Sequence, residues 1–445
     1  MNLVPFGFLC CQLISAVSLG NISPNTVDHI VVLPDIHGDL EFFLLSVLTA
    51  AKRTNYPDLT LSALEELLTS QAAAPAPEGI PSRTIVIQLG DVANRGPGSK
   101  QCFAVLYGLE KILGWKVVTL YGNHELMAFT GKDSQYVHEV EYDIFGGPGK
   151  RAAEFSREGS LWRLIHSRSI LVARLGGESQ NSLSTLFVHA GIESAWLAEV
   201  GVSLSQSVDS LNSLARSAMI TPGLATTFFS GKSSPLWTRA FEKNSHSQNW
   251  CDTELNEILD RFKVSRIVVG HCPSRSKRVE TRCDGRIILA DVKMSRWMHE
   301  GGQPMALIMS LSHLNIQGET DSEIDSIVAH YVDDQDPTKE FSQEIAIWAA
   351  PRAAAEVEDA DVHKLSLPQL GRSVSADSLM RLFKNRPQPD ESAIFAPRSP
   401  CFSRACAGPL GPCLPPKIIR AVSCQLPSIR SDNVPILVGP DSPKL

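Results

Sequence analysis

The chain repeats one pattern: a short apolar run that stops abruptly at an aspartate, asparagine or histidine. "HIVVLP" (29–34) runs into Asp35 and His37, "TIVIQLGD" (84–91) ends on Asp91, and "KVVTLYGN" (116–123) ends on Asn123 with His124 next. "STLFVHAG" (184–191) carries His189, and "VSRIVVGH" (264–271) ends on His271. Short runs rich in Val and Ile read as buried strands. The segments after the first two, "LEFFLLSVLTAA" and "SKQCFAVLYGLEKIL", read as helices. Alternation of strand, loop and helix predicts an α/β fold with a mostly parallel sheet covered on both faces.

In such a sheet, residues just past the carboxyl ends of the strands meet in one crevice, however far apart they lie in the chain. Each of these residues taken alone is ordinary: an Asp-x-His is usually a turn, and a single histidine usually a satisfied core residue. Their common position at strand ends makes them one constellation. Asp35 and Asp91 supply two negative charges, while His37, Asn123, His189 and His271 ligate without charge. Two divalent ions would therefore keep a surplus of about two positive charges, enough to acidify a bridging water and attract a phosphate dianion. Arg95, four residues past Asp91, carries a planar fork suited to phosphate oxygens. The chemistry indicated is metal-activated, in-line attack on phosphorus.

The ordered motifs "DIHGD", "GDVANRG", "GNHE", "VHAG" and "VVGH" resemble those of the calcineurin-like metallophosphoesterases, in the phosphoprotein phosphatase branch. Together with "FGGPGKRAAEFSREGSLWRLIHSRSILVARL", "SSPLWTRAF" and "DVKMSRWM", they are most similar to the Shewanella-like protein phosphatases. The resemblance covers residues 29–312 and implies a central β-sandwich flanked by helices, amending the doubly wound sheet so that strands after 184 form a second sheet. It implies that Asp35, His37 and a bridging Asp91 hold a first metal, and Asn123, His189 and His271 a second, with Mn, Fe or Zn as candidates. His124 would be the general acid, Arg95 would bind phosphate, and Arg239 of "PLWTR" would be a second phosphate ligand ahead of Arg275 or Arg296.

Two departures from the family pattern stand out. Pro34 replaces the glycine before the first metal aspartate, fixing φ and removing an N–H. Asn94 occupies the place of an aspartate that accepts a hydrogen bond from the catalytic histidine. The expectation is that an Asn oxygen still orients His124 while its neutral amide fails to stabilise the imidazolium. That predicts weakened acid catalysis, felt least by esters whose leaving groups need little protonation.

The rest of the chain bounds the setting. Residues 1–20 are apolar and uncharged and resemble a secretory signal peptide, which places the protein in the secretory pathway or outside the cell; without cleavage it would be cytoplasmic. Residues 54–82 read as a loop insertion, and "SSPLWTRAFEKNSHSQNW" as part of a cap over the open end of the sheet. From 316 to 445 the composition turns Pro- and Ser-rich, with 14 of the 28 prolines beyond residue 350, and predicts a largely disordered tail. A net charge of -7 and a pI near 6.0 point away from nucleic acid. The ten cysteines form no CxxC pair, which argues against a zinc ribbon or a thioredoxin motif. No stretch of the mature chain reaches the length of a membrane span.

The expected function is a metal-dependent phosphatase with a phosphoprotein substrate, phosphoserine and phosphothreonine favoured and phosphotyrosine open. A nucleotide or diadenosine polyphosphate hydrolase of the same fold, and a catalytically impaired phosphoprotein-binding protein, are the alternatives.

Overall fold

The computed structural model describes residues 21–22, 27–70, 83–176, 184–202, 207–221, 223–316, 319–333, 336 and 338–346. The expected signal segment, residues 1–20, and the chain from 347 onward lie outside the described residues.

Among the described residues, thirteen strands form two sheets. The strands are β1 (Asn21–Ile22), β2 (His29–Leu33), β3 (Thr84–Gln88), β4 (Lys116–Leu120), β5 (Ser169–Ile170), β6 (Val172–Leu175), β7 (Thr185–Val188), β8 (Arg266–Val269), β9 (Glu280–Arg282), β10 (Ile287–Leu289), β11 (Met305–Ile316), β12 (Glu319–Val332) and β13 (Glu340–Glu344). One sheet runs β13-β12-β11-β2-β3-β4-β5, the other β1-β6-β7-β8-β10-β9. β2, β3, β4 and β5 pair in parallel, as their strand-loop-helix order requires. The helices α1 (Leu40–Arg53), α2 (Leu61–Ser70) and α3 (Ser99–Ile112) make the first crossovers.

Period-2 alternation explains why the sheets stack. Ala173, Phe187, Val268 and Ile288 of the second sheet share one core with Val31, Val86 and Val118 of the first. Their neighbours Val172, Leu186, Val188, Ile267, Val269 and Leu289 face the other way, into a second core with Trp196, Phe228 and Ile258 from the helical segments. The expected sandwich with flanking helices is therefore the observed architecture, with β7, β8 and β10 of the second sheet buried on both faces.

Three expectations need correction. The strand read at 305–311 does not join the second sheet; β11 pairs antiparallel with β2 at Leu307↔Val32 and extends the first sheet. The tail does not begin at 316, because β12 and β13 continue that sheet, with Ile327, Ala329 and Tyr331 alternating into the core. The Pro- and Ser-rich average was set by residues further on, and it masked this alternation. The insertion after residue 54 is partly helical, since α2 buries Leu64 and packs on α1 and α3.

Candidate metal centre

The strand ends deliver their residues to one place. Asp35 and His37 follow β2, Asp91 follows β3, Asn123 and His124 open the helix α4 (Asn123–Thr130) after β4, and His189 and His271 follow β7 and β8. All seven are buried. Five residues of the site lie in the left-handed region of backbone space: His37 (φ 48), Asp91 (φ 55), Asn94 (φ 71), Arg95 (φ 66) and His271 (φ 62). Such positions cost about 1–3 kcal/mol each and persist only where the surroundings over-determine them.

The restraint comes largely from Glu125, the last residue of "GNHE". Its Oε1 accepts from the Val92 and Ala93 N–H groups at 2.9 Å each, and its Oε2 from Asp91 N–H at 2.9 Å and Gly122 N–H at 3.0 Å. One buried carboxylate thus shapes the loop that carries Asp91, Asn94 and Arg95. Further bonds complete the loop: His37 N–H to Asp91 O at 2.9 Å and Arg95 N–H to Tyr136 O at 2.7 Å. The close approach also needs Gly122, where a Cβ would stand 2.2 Å from Asp91 Oδ1. Gly270 does the same for Asp35, whose Oδ1 would lie 2.4 Å from an added Cβ.

Asp91 stands between two sets of imidazoles. His37, Asp91 and His124 bring ligand-capable atoms within 4.8 Å of one another, as do Asp91, His189 and His271. His37 Nε2 lies 3.8 Å from Asp91 Oδ2, and His189 Nε2 lies 3.6 Å from Oδ1. Asn123 Oδ1 joins the second set, 2.9 Å from His189 Nε2 and 3.0 Å from His271 Nδ1. Asp35 joins neither set directly: both its oxygens accept from His271 N–H, at 3.2 Å and 3.3 Å.

The ring partners fix where the protons sit. His189 Nδ1 faces Leu89 O at 2.8 Å and His37 Nδ1 faces Ala93 O at 3.3 Å, so each donates from Nδ1 and leaves a bare Nε2 lone pair inside the site. A bare His189 Nε2 beside the Asn123 carbonyl oxygen puts two acceptors together with no donor between them. A cation resolves that contact, and a histidine anchored through its other nitrogen to a carbonyl is the usual form of a metal ligand. Asp291 Oδ2 is buried without a hydrogen-bond partner, which adds a further atom with unspent lone pairs. The donor set therefore fits a pair of cations sharing Asp91.

The electrostatics agree. Burial raises Asp35 well above the ordinary carboxylate range, with the Asp291 and Asp91 charges adding to it. Asp91 itself is pushed up to about 7, chiefly by burial. Burial lowers His37 and His271 well below their usual value and His189 to about 4. Buried carboxylates crowd one another beside neutral imidazoles, and positive charge would relieve them.

His124 differs from the ligands. Its Nδ1 lies 3.2 Å from Asn94 Nδ2, and its Nε2 lies 4.0 Å from Asp91 Oδ2. The Asn94 oxygen does not orient the ring, contrary to expectation, because Arg151 Nη2 donates to it at 2.7 Å.

A cleft of about 120 Å³ opens onto this centre, lined among others by Arg95, His124, Tyr136, Trp237, Arg239 and Met298. Arg95 and Arg239 both reach it, and Arg95 Nε is buried without a hydrogen-bond partner. Arg296 is instead committed to Asp39 at 3.2 Å and Glu41 at 2.9 Å. A wider depression of about 440 Å³ beside Lys100 and Lys150 contains none of the constellation. Trp237 and Arg239 of the segment read as a cap line the cleft, and Cys251 and Cys283 make a disulfide.

The residues of the chain match the calcineurin-like phosphoesterase model over 29–274. The chain belongs to the calcineurin-like phosphoesterase family. An uncharacterised protein of Schizosaccharomyces pombe is 29% identical over 211 residues, covering 46% of this chain and 60% of that protein. The aligned part thus falls short of two thirds of that relative. A mutant of a cold-active protein tyrosine phosphatase aligns over 74% of this chain and 82% of its own, at 18% identity and a TM-score of 0.50. The cold-active protein-tyrosine phosphatase of a psychrophilic Shewanella species aligns over 68% of this chain and 82% of its own, at 20% identity and a TM-score of 0.46.

Two residues of the site were quoted in motifs without a role. Glu125 follows His124 directly, and Asp291, the first residue of "DVKMSRWM", comes just after the apolar run "IILA" that holds β10. Asp291 lines the cleft, is 1% exposed, and uses only Oδ1, which accepts from Lys293 N–H at 2.9 Å. The ending of an apolar run on an acid was the available signal for it.

Proposed function

We propose that the protein is a dinuclear, metal-dependent phosphomonoesterase acting on phosphoproteins, and that it favours phenolic over alkyl phosphates. The sharing of Asp91 between two histidine sets carries the first part. When bound, two divalent ions would supply Lewis-acid activation of the phosphoryl group and of the attacking water. His37, Asp91 and Asp35 would hold one ion and Asn123, His189 and His271 the other. Arg95 and Arg239, both on the cleft wall, would clamp the phosphoryl oxygens.

The preference for a phenolic ester revises the expected order of substrates, and the direction of the Asn94 amide supports it. With an amide N–H facing Nδ1, the neutral His124 ring presents Nε2–H to the cleft. It can give a hydrogen bond to the departing oxygen, but full transfer would leave an imidazolate. A phenol leaves readily as an anion and an alcohol does not. Tyr136, Trp237 and Met298 add apolar surface at the cleft where an aryl ring would rest.

The test compares phosphotyrosine and phosphoserine peptides, with metal content measured alongside, for the native chain, Asn94→Asp and Asp91→Asn. The native chain should prefer phosphotyrosine, Asn94→Asp should raise phosphoserine turnover by about 10-fold or more, and Asp91→Asn should lose metal and activity. An unchanged substrate ratio in Asn94→Asp refutes the preference. Retained metal and activity in Asp91→Asn refutes the reaction. Tight phosphopeptide binding without turnover would favour the impaired-binder reading that Asn94 also motivates. The apolar start of the chain and the Cys251–Cys283 disulfide support a secretory route, which N-terminal sequencing of the exported protein would check.

A further inference from the structure

Arg151 is 3% exposed in the helix Pro148–Phe155 and is not among the residues that line the cleft. Each of its three nitrogens is nonetheless engaged. Nε donates to Glu141 Oε1 at 2.6 Å, Nη1 pairs with Asp133 Oδ2 at 2.8 Å, and Nη2 donates to Asn94 Oδ1 at 2.7 Å. Its guanidinium lies over the Phe155 ring, 4.7 Å from the centroid. Glu141 is held in turn by Ser99 Oγ at 2.7 Å, and the same hydroxyl accepts from Asn94 N–H at 3.0 Å. The network closes on Asn94 from both backbone and side chain.

The chemistry of this closure has one solution. Guanidinium nitrogen only donates, so the amide atom facing Arg151 must be oxygen. The amide nitrogen then faces His124, 3.2 Å from Nδ1 and 3.4 Å from the His124 carbonyl oxygen. Amide nitrogen also only donates, so Nδ1 must be the bare nitrogen and the ring proton must sit on Nε2. This is the reverse of His37 and His189, which carry the proton on Nδ1. An aspartate at 94 would accept from both sides and would impose the opposite tautomer, with Arg151 unchanged.

We propose that Arg151 is a positioning residue that, through the Asn94 amide, fixes His124 as the Nε2–H tautomer and so sets what the ring offers to the cleft. The inference deepens the proposed reaction but stands on the metal-free chain. It makes Arg151 and Asn94 a matched pair: the arginine takes the oxygen, and the choice of amide or carboxylate decides the proton.

Nitrogen-15 NMR of the histidine rings at pH 8, in the metal-free protein, reads the tautomer without reference to activity, with His124 assigned by its loss in His124→Gln. The native ring should be predominantly Nε2–H. Asn94→Asp should switch it to predominantly Nδ1–H, Arg151→Gln should lose the single tautomer, and Arg151→Lys, which keeps a donor toward Asn94, should restore it. A native Nδ1–H ring overturns the proposal, and so does an Arg151→Gln protein that keeps pure Nε2–H. Should Arg151→Gln not fold, the native and Asn94→Asp spectra decide alone. A phosphatase failure with the Nε2–H ring observed would remove the reaction and leave this assignment standing.

Discussion

Replacing Glu125 with glutamine tests how the loop at Asp91 is held. The carboxylate uses two oxygens for four backbone N–H groups: Oε1 for Val92 and Ala93, Oε2 for Asp91 and Gly122. Glutamine has one acceptor oxygen and two amide hydrogens, so whichever way it turns, it keeps one pair and points donors at the other. The abandoned groups have no water to turn to, since Asp91 is 2% exposed, Val92 1% and Ala93 0%. Two buried donors without acceptors cost roughly 1–3 kcal/mol each, so the loss should be about 2–6 kcal/mol out of a typical total of about 5–15 kcal/mol. Urea unfolding of the metal-free chain at pH 8, followed by circular dichroism and tryptophan fluorescence, measures it. Burial, with the Asp91 charge adding to it, pushes Glu125 up to about 7, so at pH 5 its own proton makes the native side chain resemble the amide and the difference should shrink. A midpoint shift equivalent to less than about 0.5 kcal/mol at pH 8 would refute the reasoning.

Three more outcomes follow from the same geometry. Asp291→Asn keeps the bond from Lys293 N–H but removes a carboxylate charge from the cleft, so metal affinity by titration calorimetry should fall about 10-fold or more while the melting temperature of the metal-free chain holds or rises. Folded-state values for Asp91 and Glu125 are raised to about 7, and those of Asp35 and Asp291 are also raised, so their contribution to stability is fully present below the unfolded carboxylate range and is lost as pH rises through 7. The site imidazoles, lowered in the fold, change nothing further above their unfolded value. The metal-free chain should therefore melt lower at pH 8.5 than at pH 7, and added Mn or Zn should cancel that fall. Reducing Cys251–Cys283, which closes a separation of 32 residues, should destabilise the chain by about 3–4 kcal/mol on the chain-entropy account, readable as a lower urea midpoint.

Much of the centre was legible because its information is local. Each ligand ends an apolar run, and a strand that stops in a loop leaves its last residue at the sheet end. β2, β3 and β4 therefore present Asp35, Asp91 and Asn123 in the sequence itself. Asp291 escaped because it was quoted only as the start of "DVKMSRWM", and Glu125 because its role is to receive backbone N–H groups, which no side-chain motif records. β12 escaped because the composition of the chain beyond it outweighed its own alternation.

The sequence by itself determined the strand-end positions, the residue types that can hold two cations, and the presence of an amide at 94 where a carboxylate was expected. Periodicity and side-chain chemistry are properties of short stretches, and they survive without knowledge of the fold. Only the tertiary structure decided which way that amide points. Asn94 can face a partner with either end, and the choice was made by Arg151, a residue 57 positions away whose guanidinium can only donate. A proton position on His124 thus depends on a buried contact that no local pattern of the chain encodes.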